Sequence, residues 1–129
     1  MSHSNPKILL VDDEELLRDG VQEMLEMQGF TVISAANGEL ALACVKEQDI
    51  DLIITDLVMP KMDGIDFVQQ LRMINPDVPV IVVSGSTRNI MQRYGIETIQ
   101  VPGADASLSK PFKGVDLVAQ IRELLASKG

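Results

Sequence analysis

Five side chains that can carry out chemistry lie at or just after the ends of short, mostly apolar runs. They are Asp12, Asp13, Asp56, Ser84 and Lys110. Carboxylate oxygens bind hard divalent cations, and a carboxylate can also act as a nucleophile. A lysine ammonium and a serine hydroxyl can donate hydrogen bonds to phosphate oxygens. The set predicts a metal-dependent phosphoryl-transfer site, provided that the fold brings these residues together.

Three neighbouring carboxylates would make such a site electrostatically demanding. If all three were ionised in a partly dry crevice they would repel one another, so the cluster needs a cation or a proton. Mg²⁺ suits a site with few protein carboxylates, because it keeps waters and phosphate oxygens in an octahedral shell. An aspartate there can itself become an aspartyl phosphate. Lys110 would pair with the carboxylates before transfer and with phosphate oxygens afterwards, while Ser84 donates to one of those oxygens.

The apolar runs indicate which elements position these side chains. Continuous runs rich in Val, Ile and Leu are typical of parallel strands that are buried on both faces. The predicted strands are centred on Leu9, Val32, Ile53, Ile81 and Leu108, and each gap leaves room for a crossover helix. The sequence predicts an α/β fold with a doubly wound, five-stranded parallel sheet of the (βα)5 type. Because ligands of open parallel sheets bind beyond the carboxyl ends of the strands, the reactive side chains are expected along one edge.

Apolar stripes at helical spacing support four helices of this fold. They cover residues 17–25, 40–45, 67–74 and 117–125. Residues 88–101 fit a helical face poorly, because glycine and proline interrupt the pattern. For that stretch we predict a short helix followed by an irregular segment.

Length and composition limit the classes of function. A chain of 129 residues is long enough for one domain with a full core, so residues 1–129 are expected to form a single domain. The net charge of −8 argues against binding to nucleic acid or to an anionic membrane. The apolar runs are too short to cross a bilayer. The lone Cys44 cannot form an internal disulfide, which favours a reducing, cytoplasmic location.

Four motifs together resemble one family. They are Val-Asp-Asp-Glu at 11–14, Asp-Leu-Val-Met-Pro-Lys-Met-Asp-Gly at 56–64, Pro-Val-Ile-Val-Val-Ser-Gly at 79–85, and Gly-Ala-Asp at 103–105 followed by Lys-Pro-Phe at 110–112. In this order they resemble the receiver domains of bacterial two-component response regulators, over essentially the whole chain. The resemblance implies the flavodoxin-like strand order 2-1-3-4-5.

The resemblance also implies a phosphoacceptor and its metal ligands. Asp56 would accept a phosphoryl group from a phosphohistidine on a sensor histidine kinase or a histidine phosphotransfer protein. Asp13, Asp56 and the backbone carbonyl of Val58 would coordinate Mg²⁺ directly, with Asp12 helping through water. The domain would then be a phosphorelay switch for a downstream effector protein. It would not be an enzyme, although it would catalyse its own phosphorylation and its own slow dephosphorylation.

Two further residues complete the site that the resemblance implies, and one position departs from the family. Ser84 would be the switch hydroxyl and Lys110 the phosphate-binding lysine. Family members usually carry an aromatic residue three positions before the lysine, where this chain has Ser107. The stretch from Ser84 to Lys110 is also a few residues longer than most members show.

Two other functions compete with the phosphorelay switch. A phosphatase of the haloacid dehalogenase type also uses an aspartate nucleophile with Mg²⁺, but it needs an acid two residues later, where this chain has Val58. The second alternative is a degenerate receiver that binds partner proteins without phosphorylation. The complete set of acceptor-site residues favours the phosphorylated switch over both.

Overall fold

The computed structural model describes residues 5–59, 62–84, 101–109 and 112–128. Within them the strands are β1 (Lys7–Val11), β2 (Thr31–Ala35), β3 (Leu52–Asp56), β4 (Val80–Ser84) and β5 (Ala106–Ser109). The helices in the same residues are α1 (Glu15–Met27), α2 (Gly38–Glu47), α3 (Gly64–Ile74) and α4 (Gly114–Lys128). The helix predicted within residues 88–101 lies almost wholly outside the described residues.

The five strands form one parallel sheet in the order β2-β1-β3-β4-β5. Both the parallel α/β architecture and the predicted strand order are confirmed. β1, β3 and β4 lie inside the sheet and are buried along almost their whole length, which explains their uninterrupted apolar sequences. β2 and β5 lie at the edges of the sheet and alternate between less and more exposed residues.

The sheet separates two layers of apolar packing. Leu9 and Val11 of β1 face the cluster that includes Phe67 and Leu71 of α3, whereas Ile8 and Leu10 face a second cluster against α1 and α4. This alternation is the period-two geometry of a strand. Each layer holds one face of the central strands in place, and so it fixes where their carboxyl ends lie.

Side-chain caps set the beginnings of two helices near that edge. Asn37 Oδ1 accepts a hydrogen bond of 2.9 Å from the backbone N–H of Leu40 and so caps α2. Asp63 Oδ1 accepts one of 2.9 Å from the N–H of Asp66 at the start of α3. Both helices therefore begin at defined positions on the same side of the sheet.

At the amino edge of the sheet, a single arginine joins α3 to the turns before β4 and β5. The Arg72 guanidinium donates to the backbone oxygens of Asn75, Val78 and Gly103 and to the carboxylate of Asp105. These contacts use all five of its N–H donors. Asp105 also accepts a hydrogen bond of 2.8 Å from the N–H of Val80, the first residue of β4. Opposite charges are thus paired at this edge.

Candidate functional site

The carboxyl ends of three adjacent strands deliver polar side chains to one place. Asp12 follows β1 directly, Asp56 is the last residue of β3, and Ser84 is the last residue of β4. All three side chains are buried, with 5–6% of their surface exposed. Asp13 is exposed beside them. The predicted edge location is therefore correct for these four residues.

The three carboxylates come close together. One oxygen from each of Asp12, Asp13 and Asp56 lies within 4.8 Å of the other two. Octahedral ligands at the usual Mg–O distance lie about 2.9 Å apart when adjacent and about 4.2 Å apart when opposite. A separation of at most 4.8 Å places the three oxygens close enough to share one hydrated cation, and hard oxygen donors are the ligands that Mg²⁺ prefers. The residues present fit a Mg²⁺ site.

Hydrogen bonds from three parts of the chain help to hold Asp12 in position. Its N–H donates to the carbonyl of Ala35 at 3.1 Å, which continues the pairing of β1 with β2. Its Oδ1 accepts from the N–H of Glu14 at 2.9 Å, and its carbonyl oxygen accepts from Arg18 Nη1 at 2.7 Å. The turn between β1 and α1 is therefore fixed at the backbone as well as at the carboxylate.

Asp56 is oriented by its own neighbours in the chain. Its Oδ1 accepts a hydrogen bond of 2.8 Å from the N–H of Leu57, and the hydroxyl of the buried Thr55 donates to its carbonyl oxygen at 3.0 Å. The N–H of Leu57 lies 2.9 Å from the carbonyl of Val83, so the first residue after β3 still pairs with β4. This arrangement holds the carboxylate at the edge of the sheet.

The loop after Asp56 returns very close to its starting point. The N–H of Gly64 donates to the carbonyl of Leu57 at 2.6 Å. A Cβ atom on Gly64 would lie 2.6 Å from the carbonyl oxygen of Asp56 and 2.8 Å from the Cα of Leu57. Only glycine fits there without a backbone shift, which gives the Asp-Gly pair at 63–64 of the family motif a steric reason.

Some sequence-based assignments are not tested by this geometry. Val58 lies in the loop after Asp56 and exposes 40% of its surface, but the role of its carbonyl as a ligand remains a prediction. Ser107 is exposed on β5. Lys110 follows the last residue of that strand and lies outside the described residues, so its predicted contact with the carboxylates also remains a prediction.

Sequence reasoning missed two side chains that shape the site. Thr55 reads as part of an apolar strand, and Arg18 reads as a polar position on an amphipathic helix. Their hydrogen bonds to the backbone of Asp56 and of Asp12 depend on how the chain is folded. The one signal available was that Arg18 lies about one helical turn into α1, close enough for a long side chain to reach back to the preceding loop.

A comparison with family models decides the class of this domain. The model of the response regulator receiver domain matches residues 8–122. The chain belongs to this family. The prediction from the four motifs is confirmed.

Two regulators illustrate the relationship. The transcriptional regulatory protein CpxR of Escherichia coli (strain K12) is 43% identical over 119 residues, which cover 92% of this chain and 49% of CpxR. The alkaline phosphatase synthesis transcriptional regulatory protein PhoP of Bacillus subtilis (strain 168) is 36% identical over 121 residues, which cover 94% of this chain and 49% of PhoP. The receiver domain spans about half the length of the curated relatives that it matches.

Solved receiver structures share the fold over nearly the whole chain. The receiver domain of the Francisella response regulator 1452 is 30% identical to this chain. The two structures superimpose with a TM-score of 0.81 over 97% of this chain and 100% of that one. The CheY-like receiver from Methanospirillum hungatei JF-1 is 29% identical, with a TM-score of 0.83 and 97% of each chain covered. Among the described residues, none of the helices has the length and apolar character that a membrane crossing needs.

Proposed function

We propose that this receiver domain accepts a phosphoryl group on Asp56 in a Mg²⁺-dependent reaction and that phosphorylation switches its binding to an effector protein. The donor would be a phosphohistidine on a sensor histidine kinase or a histidine phosphotransfer protein in the cytoplasm. The observation that carries the proposal is the gathering of the Asp12, Asp13 and Asp56 carboxylate oxygens within 4.8 Å of one another. Like charges at this distance are unfavourable without a cation, so their placement points to a ligand.

The transfer needs a carboxylate that is held ready for in-line attack. The hydrogen bond from the N–H of Leu57 to Asp56 Oδ1 limits rotation of that carboxylate and so favours a near-attack geometry. The P–N bond of the phosphohistidine breaks as an O–P bond forms to a carboxylate oxygen of Asp56. The electron pair of the broken bond stays on the imidazole nitrogen, which takes up a proton from water. Bound Mg²⁺ would neutralise charge on the carboxylates and the phosphoryl oxygens.

Ser84 and Lys110 have complementary roles in this proposal. Ser84 ends β4, the strand beside β3, and the residue before it pairs with Asp56 in the sheet. Its hydroxyl is therefore suited to donate to a phosphoryl oxygen on Asp56 and to move when that oxygen appears. Lys110, the residue after β5, is expected to supply a positive charge to the same group.

We also propose that the phosphorylated state is long-lived. Hydrolysis of an aspartyl phosphate needs a positioned water, and the apolar side chain of Val58 offers it no hydrogen bond. The domain thus differs from an enzyme that turns over a substrate, because its acyl phosphate is the signalling state. The alternative, a receiver that binds partners without phosphorylation, is disfavoured by the complete acidic cluster.

Phosphorylation with a small donor tests the proposal without knowledge of the kinase. The purified chain would be incubated with acetyl phosphate with and without Mg²⁺, and its intact mass measured. We expect the mass of one phosphoryl group to appear only with Mg²⁺, and to be absent in Asp56→Asn. Asp116→Asn, which removes an exposed carboxylate in the first turn of α4, is the matched control and should be phosphorylated normally. Uptake of phosphate by Asp56→Asn would contradict the acceptor assignment, and no uptake by the wild type would favour the alternative.

A further inference from the structure

Arg18 joins the first turns of α1 to the loop that carries the acidic pair. Its side chain is half-buried, and its Nη1 donates to the carbonyl oxygen of Asp12 at 2.7 Å. Its backbone N–H donates to the carbonyl of Glu14 at 2.9 Å. The same residue therefore belongs to the helix through its backbone and to the loop before that helix through its side chain.

The other described arginines serve different purposes. Arg72 lies at the amino edge of the sheet, where it binds the turns before β4 and β5. Arg122 is exposed on α4 and makes a hydrogen bond of 3.5 Å to the side chain of Gln28. Within the part of the chain that the structure describes, Arg18 is the arginine that contacts the peptide of a candidate metal ligand.

A guanidinium beside a candidate cation site needs an explanation, because its charge alone would repel Mg²⁺. The hydrogen bonds of Asp12 supply one. Arg18 provides one of the hydrogen bonds that fix this residue, together with the N–H of Glu14 on the carboxylate and the carbonyl of Ala35. Without Arg18, the loop would be held by fewer contacts at a place where three like charges push it apart.

We infer that Arg18 is a positioning residue for the cation site, which acts through the Asp12 peptide. It holds Asp12 and Asp13 in the geometry that lets their oxygens converge with that of Asp56. Residues outside the direct ligand set commonly tune metal sites in this way, and their substitution weakens metal binding by about 10- to 100-fold. The inference rests on the proposed function, because it takes the acidic cluster to be a Mg²⁺ site.

Charge and positioning predict opposite results when Arg18 is replaced. If the guanidinium acts only through its charge, Arg18→Met removes a repulsive cation and Mg²⁺ binds more tightly. If it positions the loop, the same substitution weakens Mg²⁺ binding. Arg18→Lys keeps the charge and one donor group, and we expect it to recover part of the lost affinity.

The experiment is a calorimetric titration of the full chain with Mg²⁺ alone, at fixed ionic strength, for the wild type, Arg18→Met and Arg18→Lys. Arg122→Met is the matched control on α4. We expect the dissociation constant of Arg18→Met to rise about tenfold and that of Arg122→Met to be unchanged. A general loss of stability would not produce this result, since the dissociation constant of a variant that is still folded does not depend on its melting temperature.

Circular dichroism in chelator would first establish that each variant is folded. If Arg18→Met does not fold, Arg18→Gln is used instead, and the same rise in the Mg²⁺ dissociation constant is expected. Its shorter, neutral side chain also lacks the charge and cannot extend as far as the Asp12 carbonyl. Unchanged or tighter Mg²⁺ binding in the folded variant would overturn the positioning role while leaving the proposed function intact. No Mg²⁺ binding by the wild type would overturn both the proposed function and the role of Arg18.

Discussion

The two edges of the sheet differ in how their charged side chains are arranged. At the amino edge, Asp105 is paired with Arg72, whose five N–H groups all have acceptors. At the carboxyl edge, the carboxylates of Asp12, Asp13 and Asp56 are brought within 4.8 Å of one another. The first arrangement satisfies the protein's own polar groups, and the second gathers like charges in a way that a bound cation would relieve. This contrast is the basis for proposing that the carboxyl edge, and not the amino edge, holds the cation site.

Helix α3 connects the two edges and is constrained at both ends by close backbone contacts. At its start, Gly64 lies against the backbone of Asp56 and Leu57. Near its end, Arg72 contacts the turn at Gly103, a residue with a φ of 90° that favours glycine. Damage at either end should destabilise the domain, but only damage at the start should also disturb the acidic cluster.

The largest effect is expected for Gly64→Ala. Its Cβ would lie 2.6 Å from the carbonyl oxygen of Asp56, so the loop after β3 must shift. We expect a loss of about 3 kcal/mol in the free energy of unfolding, measured by urea denaturation, together with loss of Mg²⁺ binding. Gly20→Ala in the middle of α1 is the control, because its Cβ would have nothing within 4 Å. This substitution should increase the free energy of unfolding by about 0.5–1 kcal/mol. Equal stability of the two variants would contradict the close approach at Gly64.

A smaller effect is expected for Arg72→Met at the opposite edge. The substitution removes five hydrogen bonds, but water can reach some of the acceptors because the Asp105 side chain is 42% exposed. We expect a loss of about 2 kcal/mol in urea denaturation, with an unchanged Mg²⁺ dissociation constant in calorimetry. Arg122→Met should change stability by less than about 0.5 kcal/mol. A weaker Mg²⁺ affinity in Arg72→Met would show that the two edges are coupled.

Val58→Asn tests the lifetime of the phosphorylated state at the acidic edge. An amide at this position can hold a water for attack on the aspartyl phosphate, so we expect dephosphorylation up to about tenfold faster, equivalent to about 1.4 kcal/mol in the barrier. The measurement is the decay of phosphorylated protein in Mg²⁺ after removal of the donor. Val115→Asn changes another exposed valine, on α4, and should leave the decay unchanged. Identical decay of Val58→Asn and the wild type would argue against water positioning at this residue.

The smallest effect is expected for Asp13→Asn in the absence of metal. Removing one of three neighbouring carboxylates relieves repulsion, but Asp13 is exposed and water screens its charge. We expect the free energy of unfolding in chelator to rise by less than about 1 kcal/mol and the stabilisation by added Mg²⁺ to disappear. Asp19→Asn, an exposed change farther along α1, should retain that stabilisation. A full Mg²⁺ response in Asp13→Asn would remove this residue from the ligand set.

The sequence was sufficient where a local pattern implies a long-range arrangement. Buried parallel strands have a characteristic apolar sequence, and residues that follow such strands must share an edge, so the meeting of Asp12, Asp13 and Asp56 could be predicted. The strand order came from the family resemblance, because hydrophobic periodicity does not rank alternative orders of parallel strands.

The contacts of the two arginines could not be predicted, because each depends on the path that a long side chain takes from its helix to another part of the fold. Nothing in the periodicity of α3 indicates that Arg72 reaches Gly103 and Asp105. The position of Arg18 about one turn into α1 allows a contact with the preceding loop but does not specify Asp12 as the partner. The predicted helix within residues 88–101 and the contacts of Lys110 lie essentially outside the described residues, and they stay predictions.

The central claim is that the carboxyl edge, and not another acidic part of the surface, is the cation site. Adding small amounts of paramagnetic Mn²⁺ to ¹⁵N-labelled protein tests it directly, since a five-residue strand separates the two edges by roughly 13 Å. We expect the amide signals of Asp12, Asp13 and Asp56 to broaden first, while those of Asp51 and Asp105 at the amino edge persist. Equal broadening at both edges, or earlier broadening at Asp51 or Asp105, would contradict the account.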